Sequence, residues 1–177
     1  MTLTVAKYYP YVGATNYYVM PGTEIGFIGE GFAPNEDVTV QLGLNTILTL
    51  TTDENGSIET NSYVVPFGST ESLTFLLTGQ KSKAANTVTI GIGSFYPWVV
   101  SSNYYTQPGT VVTISGGWFA ANEDVTVVAG SFTTTAQTDM DGNLEGVEVM
   151  LPFGHSSSNL DIVLTGQESM ANGTTTV

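Results

Sequence analysis

Residues 35–40 read Asn-Glu-Asp-Val-Thr-Val, and the same six letters return at residues 122–127. In both places a polar, turn-forming start leads into alternating β-branched residues, which is typical of a short strand entered from a loop. Because the loop and the strand recur together, the sequence indicates that one structural module has been duplicated.

Other short motifs repeat on both sides of this segment. Tyr-Pro at residues 9–10 returns at 96–97, an offset of 87 residues that falls to 86 in the middle of the chain. The further repeated motifs are Asn-Tyr-Tyr (16–18 and 103–105), Pro-Gly-Thr (21–23 and 108–110), Pro-Phe-Gly (66–68 and 152–154) and Thr-Gly-Gln (78–80 and 165–167). The repeat predicts two domains, residues 1–92 with an N-terminal strand at 1–7, and residues 93–177.

Each copy has the pattern of short strands separated by turns. Segments such as 38–42, 47–51 and 73–77 are rich in β-branched and aromatic residues, and no helical stripe runs uninterrupted through them. Asn55-Gly56 and Asp141-Gly142 are the strongest hairpin signals, because these residue types tolerate a positive φ. The pattern predicts an all-β chain of two tandem β-sandwiches, each with about seven strands.

The order of motifs within each copy resembles an immunoglobulin-like repeat of prokaryotic cell-surface proteins. In the first copy the motifs are Pro-Gly-Thr at 21–23, Gly-Phe-Ala-Pro-Asn-Glu-Asp-Val-Thr-Val at 31–40, Leu-Thr-Gly-Gln at 77–80 and Thr-Val-Thr-Ile at 87–90. The resemblance covers nearly the whole chain. It implies immunoglobulin-like sandwiches in a surface-layer tile, a fibre subunit, an adhesin arm or a spacer of a larger secreted protein.

Charge excludes two classes of partner. The 177 residues include 16 acidic residues and three basic ones, Lys7, Lys81 and Lys83, for a formal charge of −13. Such a chain cannot neutralise the phosphates of nucleic acids or of anionic lipids. Charged residues make up only 11% of the chain, against about 25% in a typical soluble domain. There is no cysteine for disulfides or thiolate metal sites, and no apolar run of about 20 residues to span a membrane.

No catalytic constellation is visible. The single histidine, His155, follows a Pro-Phe-Gly turn, has no counterpart in the first copy and is interpreted as a solvated loop residue. We therefore expect a protein that is not an enzyme and requires no cofactor.

The sequence contains two candidate calcium-binding turns, one in each copy. Residues 139–145 place oxygen ligands at alternating positions around a glycine, which partly resembles a calcium loop and equally suits a simple turn. The candidate ligands are Asp139, Asp141, Asn143 and Glu145, with Asp53, Asn55 and Glu59 in the weaker first copy. The acidic clusters 35–37 and 122–124 stand beside these turns, and their uncompensated charge would favour a cation.

Aromatic residues cluster near the start of each copy. The predicted contact residues are Tyr8, Tyr9, Tyr11, Tyr96, Trp98, Tyr104 and Tyr105. Tyrosine and tryptophan offer rigid contact area with a polar group, so this set predicts a junction or subunit interface, with a glycan-stacking platform as the alternative. We expect Tyr96, Pro97 and Trp98 to be buried between modules or subunits. Asn55 and Asn172 match the N-glycosylation pattern, a weak signal in a threonine-rich chain.

The N-terminal segment aligns with the closing strand of a repeat. Residues 1–5 match 88–92, so we expect Leu3 and Val5 to complete the sandwich of a neighbouring subunit by strand addition, head to tail. Pairing within its own module is the alternative. The sequence thus favours an extracellular, cell-surface structural protein that self-assembles into a filament, sheath or surface layer. The alternatives are a carbohydrate-binding adhesin arm or a spacer module.

Overall fold

The computed structural model describes residues 7–58, 61–154 and 159–177. The chain divides into two compact units, of which the first ends at Gly93 and the second begins at Ser94. The predicted contact residues Leu3 and Val5, the candidate calcium ligand Glu59 and the histidine His155 lie outside the described residues.

The described residues of the first unit form eight strands in two sheets. They are β1 (Tyr11–Ala14), β2 (Tyr18–Val19), β3 (Glu24–Glu30), β4 (Asp37–Leu42), β5 (Asn45–Thr51), β6 (Ser62–Val64), β7 (Ser72–Gly79) and β8 (Ala85–Ile92). One sheet has the order β1-β3-β6, and the other has the order β2-β8-β7-β4-β5. All pairs are antiparallel except β2 with β8, which is parallel.

The second unit repeats this arrangement with seven strands. They are β9 (Trp98–Ser101), β10 (Val111–Gly117), β11 (Asp124–Ala129), β12 (Phe132–Gln137), β13 (Leu144–Met150), β14 (Asp161–Gly166) and β15 (Asn172–Thr176). The sheets have the orders β13-β10-β9 and β12-β11-β14-β15.

The strand order is that of an immunoglobulin-like sandwich. In the first unit β3 and β6 take the places of strands B and E, while β4, β7 and β8 take those of C, F and G. The predicted all-β fold class of two tandem sandwiches is therefore confirmed. In the described part of the chain, no helix is long and apolar enough to cross a membrane.

The core of each unit comes from the inward residues of alternating strands. Val38 and Val40 on β4 are fully buried, and their counterparts Val125 and Val127 on β11 are buried equally. In the first unit the ring of Phe75 meets those of Phe27 and Tyr63 edge to face, at centroid distances of 5.0 and 5.6 Å. The strands are thus stabilised because every second residue is apolar and lies on the face of the sheet that is buried in the core.

The two hairpin predictions are wrong in position. Asn55-Gly56 follows β5 of one sheet and leads toward β6 of the other, so this turn passes between sheets. Asp141-Gly142 does the same between β12 and β13. The tight hairpins are instead Gly43-Leu44, joining β4 to β5, and Gly130-Ser131, joining β11 to β12. In each the first loop residue is a glycine with φ near 60°, as a type II′ turn requires.

The backbone at Gly56 packs closely against the loop that contains Phe32, so we expect a side chain at this position to lower the free energy of unfolding substantially. The φ of Gly56 is +78°, and a Cβ there would run into the carbonyl of Phe32. Gly68 has a similar φ of +82° but faces open space. We expect Gly68→Ala to lower the free energy of unfolding by about 1–2 kcal/mol, the cost of a left-handed residue. Gly56→Ala should cost a further 1–3 kcal/mol or so, the cost of overpacking.

Urea denaturation of both variants measures this difference. Both glycines lie in the first unit and both substitutions add one methyl group, so Gly68→Ala is a matched control. Equal losses in the two variants would contradict the close approach of Gly56 to Phe32.

Candidate functional site

A buried carboxylate lies at the centre of the loops of the first unit. Glu36 has no exposed surface. Its Oε1 accepts hydrogen bonds from the Ala33 N–H and the Ser82 hydroxyl, both at 2.7 Å. Its Oε2 accepts the N–H groups of Lys81 at 2.9 Å and Ser82 at 2.8 Å. One side chain therefore ties the loop before β4 to the turn between β7 and β8.

The second unit contains the same arrangement. Glu123 is 1% exposed and accepts hydrogen bonds from the Ala120 N–H and the Ser169 hydroxyl, both at 2.7 Å. The N–H groups of Glu168 and Ser169 donate to its Oε2 at 3.2 and 3.0 Å. The two modules thus share an internal charge that is solvated by backbone donors rather than by water.

A buried threonine extends each arrangement to a third loop. The Thr52 hydroxyl accepts the Glu36 N–H at 2.9 Å and donates to the Ala33 carbonyl at 2.7 Å. Thr138 makes the equivalent bonds to Glu123 and Ala120 at 2.8 and 2.7 Å. Together these bonds fix the loop that precedes the strand carrying the repeated hexapeptide.

The expectation of uncompensated charge at residues 35–37 and 122–124 is corrected for Glu36 and Glu123, whereas Asp37 and Asp124 of the same clusters are exposed. The carboxylates of Glu36 and Glu123 point inward, and each is compensated by four hydrogen-bond donors. Burial raises the pKa of the Glu36 carboxyl, but the hydrogen bonds from Ser82, Ala33 and Lys81 outweigh it and hold the pKa below its ordinary value. Glu36 and Glu123 therefore stabilise the loops through hydrogen bonds.

The predicted calcium turns are held by their own aspartates. The Asp139 Oδ1 accepts the N–H groups of Asp141 and Asn143 at 2.9 and 2.8 Å, and Asp53 makes the same bonds to Asn55 and Ser57 at 2.8 Å. These backbone bonds lower the pKa of both aspartates. Asp141 and Glu145 are exposed beside the second turn.

Within residues 7–58, 61–154 and 159–177, no group of three or more histidine, aspartate or glutamate side chains is placed to hold a metal ion. Calcium binding at these turns stays a prediction.

The predicted aromatic contact residues are exposed. Tyr9, Tyr96 and Tyr105 are exposed by 82, 74 and 94%. The others, Tyr8, Tyr11, Trp98 and Tyr104, are about half exposed, as is Tyr17. We expected Tyr96, Pro97 and Trp98 to be buried, but Tyr96 and Trp98 are exposed and Pro97 is half-buried. They can act as contact residues only if another copy of the chain covers them.

Three-stranded sheets of both units carry exposed apolar side chains on their outward face. In the second unit the register places Trp98 and Val100 of β9, Val111 of β10 and Met150 of β13 on this side, each exposed by 42 to 52%. We call this set the apolar face.

The first unit has a comparable face. Tyr11 and Ile28 lie outward on neighbouring strands, with Val64 on the third strand and the Tyr17 hydroxyl over Gly13. Their exposures of 38 to 57% leave much apolar area in water. Polar residues lie among the exposed apolar residues of both units: Thr113, Ser115 and Glu148 in the second unit, and Glu30 and Glu24 opposite Tyr11 and Val64 in the first. Solvated faces of antiparallel sheets are normally polar, so this amount of exposed apolar area favours a contact surface.

A groove of about 720 Å³ borders Trp98. A bulge in β13, where Glu145 and Gly146 oppose the single residue Ser115, opens the sheet at this point. The lining includes Trp98, Ser115, Asn143 and Glu145. The arrangement combines an aromatic ring with hydroxyl, amide and carboxylate groups, which is the chemistry needed to hold a neutral polyhydroxylated ligand.

The candidate glycosylation sites lie in different settings. Asn55 is exposed in its turn and donates from Nδ2 to Asp53 at 3.4 Å. Asn172 begins strand β15 rather than lying in a turn, and its Oδ1 accepts the Thr165 hydroxyl at 2.7 Å. Whether either is modified stays a prediction.

Comparisons with known proteins add the following. No family model and no curated protein matches the sequence. Among solved structures, the adhesin InvE of Yersinia pseudotuberculosis is similar at 14% identity and a TM-score of 0.44, over 95% of this chain and 58% of that one. The human OSCAR ligand-binding domain is similar at 9% identity and a TM-score of 0.38, over 97% of this chain and 99% of that one.

The chain therefore spans little more than half the length of the adhesin structure. At these identities and TM-scores, function has to be inferred from the residues of this chain. Membership of a prokaryotic surface-protein family stays a prediction.

Sequence reasoning missed Val100, Val111 and Met150, which lie on the apolar face, and Ser115, which lines the groove. Strand alternation contained the signal for the first two, because Val100 and Val111 fall out of phase with the buried Ser101 and Val112. It also missed Ser82 and Ser169, whose shared position in the two repeats was the available signal.

The lowered pKa of Glu36 predicts how the stability of the first unit depends on pH. Glu36→Gln would turn an amide NH₂ toward backbone N–H donors and remove the charge. We expect the variant to lose about 1.5–3 kcal/mol of unfolding free energy at pH 7, the range for hydrogen bonds to charged groups. Because the folded-state pKa of Glu36 is lowered, the wild-type advantage is complete above the unfolded value of about 4.3 and disappears as pH falls through the folded value.

Urea titrations of wild type and variant at pH 7, 5 and 3 test this. The exposed neighbour Asp37 gives the control Asp37→Asn, for which we expect little loss. A gap between wild type and Glu36→Gln that stays constant from pH 7 to pH 3 would refute the role assigned to the ionised carboxylate.

Proposed function

We propose that this chain is an extracellular structural protein whose tandem sandwiches self-assemble into a filament, sheath or surface layer. The observation that supports self-assembly most directly is the apolar face of the second unit, together with its counterpart in the first. Burying exposed apolar area stabilises a contact by about 25 cal/mol per Å² before the costs of association are counted.

The composition supports the same proposal. A surface with few charged residues is easier to bury than an ordinary one, because fewer ions must be desolvated. The extracellular location is part of the proposal and follows from the resemblance of the motif order to repeats of cell-surface proteins.

The first test is assembly of the purified full chain. We expect electron microscopy and light scattering to detect regular polymers above a critical concentration. Replacing Val100, Val111 and Met150 together by threonine should raise that concentration at least about tenfold, since threonine preserves strand propensity and removes apolar area. The control is Leu44→Ser, because Leu44 is 98% exposed at an isolated hairpin tip. Unchanged assembly by the triple variant would show that the apolar face is not the contact.

A second candidate function is carbohydrate binding, which the Trp98 groove favours. An indole ring beside Asn143 and Glu145 can stack on the apolar face of a sugar while the polar groups hydrogen-bond its hydroxyls. The first unit differs at this place, since Tyr11 and Glu30 occupy the positions that correspond to Trp98 and Gly117.

The two tryptophans of the chain allow a direct test. Trp118→Phe leaves Trp98 as the sole indole, so cellohexaose or chitohexaose binding should produce a saturable shift in its fluorescence. Trp98→Ala should weaken calorimetric binding at least about tenfold, or 1.4 kcal/mol, while Trp118→Ala should not. Equal binding by the two alanine variants would exclude this groove as the sugar site.

A further inference from the structure

All three lysines of the chain line one groove of the first unit. The groove has a volume of about 680 Å³ and includes Lys7, Tyr8, Lys81, Ser82 and Lys83. All three lysines are exposed, and the Lys81 ammonium donates to the Asn35 carbonyl at 2.6 Å. We call this set the lysine groove.

The charge of the groove faces outward. The carboxylate of Glu36 contacts the backbone of the groove but is buried, and it accepts hydrogen bonds from the N–H groups of Lys81 and Ser82. The backbone of the turn and the Ser82 hydroxyl thus satisfy the internal charge, so the exposed lysine charges are not needed to compensate it.

The second unit has lost this feature. The residues that correspond to the three lysines at an offset of 87 are Ser94, Glu168 and Met170. The turn itself is preserved, because Glu168 and Ser169 bind Glu123 as Lys81 and Ser82 bind Glu36. The divergence therefore concerns the outward side chains and not the fold.

The charges of the two units differ accordingly. Residues 1–93 contain eight acidic residues and three lysines, a formal charge of −5, while residues 94–177 contain eight acidic residues and neither lysine nor arginine, a charge of −8. Contacts between two acidic surfaces of such a chain are repulsive, whereas a contact that pairs carboxylates with these three cations is attractive. A pairing between different surfaces of two copies is heterologous and can propagate.

We propose that the lysine groove receives carboxylates of a second copy of this chain, supplied by the acidic segment 139–148 of its second unit. This inference rests on the proposed self-assembly. The segment carries Asp139, Asp141, Glu145 and Glu148, all exposed, which is the densest run of exposed acids in the described residues. Glu148 lies next to the apolar face, since Thr113 pairs with Glu148 and Val111 pairs with Met150. A carboxylate of the proposed contact therefore lies among the exposed apolar side chains of the second unit.

The test exploits the two repeats. The triple variant Lys7→Ser, Lys81→Glu, Lys83→Met places in the first unit the residues that the second unit already accommodates. We expect the full-length variant to stay monomeric in light scattering at ten times the critical concentration of the wild type. Asp141→Lys with Glu148→Lys should also be monomeric. An equimolar mixture of the two variants should form at least a one-to-one dimer, because the acidic segment of the lysine variant can enter the intact lysine groove of the other variant.

A control separates this contact from net charge. Asp124→Lys with Asp161→Lys changes the formal charge by the same amount as Asp141→Lys with Glu148→Lys, on strands of the other sheet. We expect this control to assemble at least as well as the wild type. Melting temperatures of all variants report whether each one folds.

The outcomes are distinct. Absence of any polymer from the wild type would overturn both the proposed function and the lysine-groove contact. Wild-type polymers together with unimpaired assembly of the lysine variant would overturn this contact alone. Failure of the mixture to form a dimer, when each folded variant alone is monomeric, would also overturn it by removing the acidic segment as the occupant.

Discussion

The structure of each unit depends on a buried glutamate that takes all its hydrogen bonds from loops. Glu36 joins the loop before β4 to the turn after β7, and Thr52 adds the turn after β5. An unpaired carboxylate in this position would be very costly, so the three loops have to close around it together or not at all. The two sheets bury the apolar core, whereas the carboxylate fixes the conformation of the loops that connect their strands. Its recurrence as Glu123 makes the two modules alike in the part where loops vary most freely.

In this arrangement the inward contacts of the turn are made mainly by its backbone, whereas its side chains face outward. Backbone N–H groups hold the carboxylate, and a backbone donor is available from almost any residue. Lys81 in the first unit and Glu168 in the second therefore support the same internal bond with opposite side-chain charges. The outward positions of the turn are free to diverge without loss of the fold. A duplicated module can in this way acquire two chemically different surfaces on one framework.

Much of the fold could be predicted from the sequence, because strand alternation and the repeat are local patterns. The hairpins could not, since Asn55-Gly56 forms a tight turn whatever strands follow it, and only the pairing of β4 with β5 decides which turn closes a hairpin. The inward direction of Glu36 was equally hidden, because acidic residues in a loop are normally solvated. The apolar face was missed for a related reason: Val100 and Val111 suit a strand on either side, and the side is set by register.

The strongly negative charge of the chain is compatible with close packing of copies because of where the charges lie. Several acids are already compensated within the fold: Glu36 and Glu123 by four donors each, and Asp53 and Asp139 by their own turns. The Debye length at physiological ionic strength is about 8 Å, so carboxylates on opposite faces of a sandwich contribute little repulsion across a contact. What governs association is the local composition of the contacting surfaces. On the apolar face that composition is mostly uncharged, and in the lysine groove it is positive. A strongly negative chain can therefore associate through these two surfaces, because the charge that matters is the charge of the surfaces that meet.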